Sequence, residues 1–241
     1  MAKYGPSSVS FFLVSGYNLA GVTSDMTYKK TGGAEETQAL GDSWAESIPT
    51  GRMSAELSQN GWFDDASKSS VDALIGIAGT TSRVICVAPA GGTAGKAFTG
   101  FEGAFSTEVE RLVEKDGLAK LNCTYTVSGA VEEGAIIEAL TAQTASGNSS
   151  SVDNSASSAS GGSGYIQVTA ESGSSPTMAV KIQHSADDSS FADLITFTTA
   201  STVSAERKTV SGTVNRYLRI NRTIGGSSSP SVTYVVGFSR G

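Results

Sequence analysis

At 241 residues, with 39% apolar and 17% charged side chains, the chain can fill one large or two small cores, which excludes disorder throughout. Its 28 glycines and many serines suit a turn-rich all-β protein better than a helical one. A net charge of −6 argues against a protein that grips nucleic acid through its phosphates, because such proteins concentrate Lys and Arg.

The N-terminal Met1-Ala2-Lys3-Tyr4 leads to Phe11-Phe12-Leu13-Val14, an apolar patch too brief for a signal-peptide core or a membrane span. The chain is therefore expected to fold where it is made. Val9 to Val14 and Val22 to Lys30 read as short strands, and Thr31 to Gly51 as a long polar loop with little periodicity. Met53, Ala55 and Leu57 then alternate with polar residues and share one sheet face. One helix is expected next: Asp64, Asp65 or Ser67 can cap it, Val71, Leu74, Ile75 and Ala78 follow the helical spacing, and Gly79 ends it.

Strands are expected at Arg83 to Ala88, Ala97 to Val113, Lys120 to Val127 and Ala135 to Thr141. The run Ser146 to Gly164 holds nine Ser and four Gly in 19 positions and reads as a flexible linker. It divides the chain into residues 1–145 and 165–241. Strands at Tyr165 to Ala170, Met178 to His184, Leu194 to Thr198, Lys208 to Val210, Tyr217 to Asn221 and Val232 to Phe238 make the second part a small β-sandwich, Ig-like or jelly-roll-like. Residues 1–146 carry 17 of the 23 acidic side chains but 10 of the 17 basic ones, a balance of −7.

Little chemistry is on offer. Cys86 and Cys123 are too few for a disulfide framework and suit a reducing site of synthesis. Gly91 to Ala97 imitates a phosphate-binding loop, but Ala90 stands where the first glycine is needed and Ala97 where Ser or Thr would hold Mg²⁺, so a hairpin turn is expected. His184 is the only histidine, and both cysteines lie beyond the linker, so it reads as a residue at a strand end. Asp187-Asp188-Ser189-Ser190 offers hard oxygen ligands for Ca²⁺ but lacks an EF-hand pattern and reads as a turn. Lys208, Arg216, Arg219 and Arg222 read as a solvated sheet face. No catalytic, metal or cofactor site is expected. A loop longer than about 15 residues is usually functional or disordered, and Thr31 to Gly51 sets Trp44 and Ile48 among Glu35, Glu36, Asp42 and Glu46, a pattern that suits a partner-contacting loop.

The order of short patterns in residues 9–142 resembles the major tail, or tail tube, proteins of long non-contractile-tailed bacteriophages. It is carried by Asn18-Leu19-Ala20-Gly21-Val22, Ala39-Leu40-Gly41-Asp42-Ser43-Trp44, Ile48-Pro49-Thr50-Gly51-Arg52-Met53 and Gly61-Trp62-Phe63-Asp64-Asp65, then by Tyr125 to Gly129 and Gly134 to Ile137. Residues Val180 to Asp187 and Arg216 to Ile220 are similar to β-sandwich domains appended to such proteins. The resemblance implies a mainly β fold, a β-sandwich or half-barrel flanked by one α-helix with the C-terminal sandwich as a decoration.

It also implies a non-enzymatic virion protein, made and assembled in the host bacterial cytoplasm. Six copies join into rings that stack around a tape-measure protein, with tail terminator and distal tail proteins at the ends, no membrane contact, and DNA as a transient passenger. In the family the long loop reaches neighbouring subunits or rings. Here that loop is Thr31 to Gly51, with Trp44 and Ile48 as buried anchors and Glu35, Glu36, Asp42 and Glu46 as polar contacts. On this reading the acidity of the first part lines a bore that repels phosphate. The alternative is a capsid or tail decoration protein or a carbohydrate-binding β-sandwich, using Tyr165, Phe191, Phe197, Tyr217, Tyr234 or Phe238.

Overall fold

A computed structural model describes residues 8–38, 40, 43–44, 46–75, 79, 82–113 and 115–241. The chain runs through β1 (Phe11–Val14), β2 (Tyr17–Asn18), β3 (Thr23–Thr37), β4 (Glu46–Gly61), α1 (Ser70–Leu74), β5 (Arg83–Ala88), β6 (Ala97–Leu112), β7 (Lys120–Val127) and β8 (Val131–Gln143). It continues with β9 (Gly147–Asn148), β10 (Val152–Asp153), β11 (Gly162–Ser185), β12 (Ala192–Thr196), β13 (Ser204–Val210) and β14 (Tyr217–Arg240). The fold is mainly β, and the strands form one antiparallel hydrogen-bonded system with the path β12-β11-β14-β8-β6-β5-β1-β2.

Three apolar clusters explain why these segments become strands. β1 and β5 read FFLV and RVICVA, without alternation, because both of their faces are covered. Phe12, Val14, Ile85 and Val87 enter one cluster with Leu57, Leu121, Tyr125 and Val127, while Phe11, Leu13, Cys86 and Ala88 enter another with Phe98, Ile136, Tyr165 and Val235. β6 serves two layers: Ala97–Phe101 pairs with β8 and Ala104–Leu112 with β7, with Gly103 in the left-handed region (φ 61°) at the bend. The sheet curls far enough for the buried Gln167 of β11 to reach across it. Its Oε1 accepts from the Gly16 amide at 2.6 Å and its Nε2 donates to the Val84 carbonyl at 2.8 Å.

The third cluster lies inside a ribbon folded on itself. β11 and β14 pair antiparallel from Gly162↔Arg240 to Ser185↔Tyr217. Gly173, Ser175, Gly226, Ser228 and Ser229 all have positive φ and mark the fold. Ile166 and Val168 on one half thus pack with Met178, Val180 and Ile182 on the other. A Cβ at Gly164 would meet Ile182 at 2.7 Å and Ile195 at 3.0 Å, so the two halves touch. The four strands expected at 165–170, 178–184, 217–221 and 232–238 are the halves of these two.

Three expectations change. The helix closes after five residues: Ile75 is extended (φ −73°, ψ 131°), and residues 76–78 lie outside the described ones. Asp64 does not cap it. Its carboxylate accepts from the Ala66 amide and the Ser69 hydroxyl and fixes a turn ahead of the helix, a local pattern that competes with helix formation. The stretch 31–51 is not a loop; most of it extends β3 and β4. The Ser/Gly run is laced along the edge of β14 and is not free chain. β9 and β10 pair with it, Ser146 Oγ and Ser149 Oγ accept from the Ile224 and Ile220 amides at 2.9 Å each, and Val152 is buried.

Candidate functional site

β3 and β4 form an arm. Among the described residues, β4 has β7 on its other side only from Ala55↔Val127 to Gln59↔Cys123, and β3 pairs with β4 alone. Beyond Ala55 the two strands therefore leave the sheet as a free ribbon, paired from Thr31↔Ser54 to Thr37↔Glu46. Seven residues of β3 at about 3.3 Å each carry it roughly 23 Å outward.

The root is held down. The Tyr28 ring meets Phe101 edge-on at 5.7 Å, its hydroxyl donates to Glu133 at 3.3 Å, and Lys30 Nζ donates to the Val131 carbonyl at 3.4 Å. Ala55 and Leu57 are buried as their alternation predicts, but Met53, next on that face, is 72% exposed because the sheet beneath it has ended. A register shift between Gly32 and Ala34 bulges β4 across Thr50, Gly51 and Arg52, with Gly51 at φ 70°, so the arm bends there.

Five of the six candidate contact residues fall on this arm as described. Glu35 faces Ile48, Thr37 faces Glu46, and Glu36 faces Ser47. Strand alternation sets Glu35, Ile48 and Glu46 on one face and Glu36 on the other. Trp44 is 85% exposed at the tip, Ile48 is half exposed, and Leu40 is fully exposed; Asp42 lies outside the described residues. Trp44 and Ile48 are thus not buried within the subunit.

A second constellation escaped the sequence reading. The Arg207 guanidinium of β13 bonds Glu132 of β8 at 2.8 and 3.1 Å, Glu102 of β6 at 2.8 Å and the Tyr165 hydroxyl at 3.1 Å, while Tyr165 donates to Glu132. Burial pushes the Glu132 carboxyl up, but the bonds from Arg207, Tyr165 and Ser163 outweigh it and hold the group below its usual range. The cluster lies beside an open cleft of about 500 Å³ lined also by Ser160, Thr209 and Arg240. With each polar group paired to another, it is built as a lock between β13, β8 and β6.

The remaining candidates are structural. Residues 89–96 turn from β5 into β6, as expected of a hairpin. His184 Nδ1 accepts from the Asn215 amide at 3.2 Å, and burial and then Arg240 hold its imidazole below the usual value. The Asp187 Oδ1 accepts from the Ser189 and Ser190 amides and the Ser185 hydroxyl and closes a turn. Arg216 is bidentate to Asp153, and Arg222 bonds the Ala145 carbonyl. Of the six aromatic residues considered for glycans, Tyr165, Phe197, Tyr234 and Phe238 are buried, and Arg216 and Arg219 stack over Tyr217 and Phe191. Among the described residues, no group of three His, Cys, Asp or Glu side chains could hold a metal ion.

No family model and no curated protein matches the chain. Among solved structures it is similar to a chain in the tail of an empty gene transfer agent particle of C6 symmetry, at 17% identity and a TM-score of 0.39, covering 54% of this chain and 97% of that one. A chain in the virion of the native gene transfer agent particle gives 18% identity and a TM-score of 0.39 over the same shares. The Dit protein of phage SPP1, described as a paradigm of the hub adsorption apparatus in phages infecting Gram-positive hosts, gives 9% identity and a TM-score of 0.36, covering 95% of this chain and 98% of that one. The chain is similar to structures of phage tails and of gene transfer agents.

Proposed function

We propose that this chain is a structural subunit of a phage-type tail, specifically the tail tube protein, in which copies close into rings, six to a ring, and the rings stack into a tube. A tape-measure protein occupies the bore during assembly and DNA passes through it at delivery. The arm carries this reading. A two-stranded ribbon standing alone is marginally stable in water, and a long free edge is a template for pairing. Here such a ribbon exposes Leu40, Trp44 and Ile48 on its outer part and Met53 nearer its root, and exposed apolar residues on one projecting element mark an interaction site.

The test compares the full chain with a variant in which residues 32–53 are replaced by Asn-Gly, a two-residue turn suited to joining Thr31 to Ser54. Negative-stain microscopy and sedimentation of the full chain should show rings or tubes. The shortened variant should remain a folded monomer with an unchanged melting temperature. A full chain that stays monomeric at high concentration with a tape-measure partner present, or a shortened variant that builds normal tubes, defeats the proposal.

A further inference from the structure

The arm is electrically divided. Its outer part, residues 34–48, contains Glu35, Glu36, Asp42 and Glu46 and no Lys or Arg, whereas its root carries Lys29, Lys30 and Arg52. The acids near the root are Glu56, which faces Lys29 across the ladder, and Glu133, which pairs with Lys30 at 3.7 Å in an exposed contact. Lys29 and Arg52 are exposed. From Lys29 to Glu35 along β3 is about 20 Å, beyond the Debye length of about 8 Å at physiological salt, so the acidic end and Lys29 of one arm do little to neutralise each other, whereas Arg52, beside Gly33, lies about 7 Å along the ribbon from Glu35. Trp44 and Ile48 expose apolar surface on the outer part, whereas the exposed Tyr28 and Met53 of the root lie on the face opposite Lys29.

We infer that the acidic tip of one copy's arm docks on the basic root of a second copy's arm, Glu35 and Glu46 facing Lys29 and Arg52 on the face of the ribbon opposite Met53. This rests on the tube reading and says where the arm lands. The two patches differ, so the contact runs head to tail and repeats from copy to copy. Another group of exposed apolar residues among the described ones, Trp62, Val113 and Leu118, lies at the opposite end of the β4–β7 ladder. In sequence its neighbours Arg111, Lys115 and Lys120 are mixed with Glu108, Glu110, Glu114 and Asp116, a balance of −1, so it offers the acidic tip no net positive charge.

The test uses charge reversal in the full chain at exposed positions, where melting temperatures should not move. Lys29→Glu with Arg52→Glu, and separately Glu35→Lys with Glu46→Lys, should each raise the concentration needed for assembly about tenfold or more, measured by sedimentation. The four substitutions together should return it to within about threefold of the parent. The parent should also assemble less readily as salt rises from about 0.05 to 0.5 M. Parent-like assembly of both reversed variants, or no recovery on combining them, overturns the contact. If the Asn-Gly replacement still abolishes assembly, the tube reading stands without it. Loss of assembly in Leu118→Glu with none in Lys29→Glu/Arg52→Glu would move the landing site to the opposite end and equally overturn the inference. A parent that never assembles removes both readings.

Discussion

Replacing Arg207 with Met tests whether the Arg207 cluster joins the two parts of the fold. The guanidinium is 17% exposed and bonds Glu132, also 17% exposed, and Glu102, 39% exposed. Removing one partner of a buried ion pair typically costs about 3–5 kcal/mol because the other charge is stranded, whereas an exposed pair contributes about 0–1 kcal/mol. The stranded charge here is Glu132, beside a cleft that admits water, so about 3 kcal/mol is expected at pH 7. For a chain of this size that lowers the melting temperature by roughly 6–12 °C. Arg207→Met/Glu132→Met, which removes both charges, should return to within about 1 kcal/mol of the parent in urea titrations.

The pH dependence carries the sign. In the parent the folded Glu132 pKa lies below its ordinary 4.5, so its stabilisation is present above pH 4.5 and is lost as pH falls through the folded value. Without Arg207, burial acts with less opposition and raises the group, so the variant is penalised at neutral pH and relieved when Glu132 is protonated. The stability gap between parent and Arg207→Met should therefore shrink as pH drops from 7 to about 4. A gap below about 1 kcal/mol at pH 7, or one that stays constant with pH, would refute the argument.

Gln167→Leu orphans the Gly16 amide in a buried site, while the Val84 carbonyl keeps the Ser15 amide, and a loss of about 1–3 kcal/mol is expected in the same titrations. Gly100→Ala would place a methyl 2.5 Å from the Tyr165 ring; with Tyr165 fixed by Glu132 and Arg207, about 1–3 kcal/mol should be lost, and a neutral outcome would mean that the ring can move aside. Burial pushes the Cys86 thiol up to about 12 and also raises Cys123, so neither should react with a thiol reagent at pH 8 until the chain is unfolded, as followed by mass spectrometry.

How much of this was legible follows from what each segment packs against. Lys120 to Val127 alternates in sequence and in burial, because one face meets a core and the other solvent, and its boundaries were read correctly. The arm was misread for the converse reason. With both faces in water, Thr31 to Thr37 and Glu46 to Ser54 have no burial period to display. The serine run failed as a linker because its order comes from hydroxyl and amide pairing along β14, which a count of apolar residues cannot register. Arg207 was invisible because Glu132 and Glu102 lie 75 and 105 residues away in sequence. In sequence Trp44 and Ile48 among carboxylates suggested a contact; the structure puts both in solvent on a projecting ribbon.

The charge balance then takes on a different meaning. Residues 1–146 carry 17 acidic and 10 basic side chains, and four of the acids, Glu35, Glu36, Asp42 and Glu46, fall within fifteen residues of the arm that hold no base. If arm tips dock on arm roots, those four lie at contacts between copies, and the balance of −7 per copy is unchanged because bases of a second copy are engaged with them. A bore that repels DNA by its charge would have to draw on the other thirteen acids. The acidity that argues against phosphate binding at the level of composition is thus, on this account, in part a matter of assembly. Salt should weaken a diffuse field acting on a polymer across the bore before it weakens tube formation, because charges farther apart than the Debye length of about 8 Å are screened first, whereas docked opposite pairs are screened less.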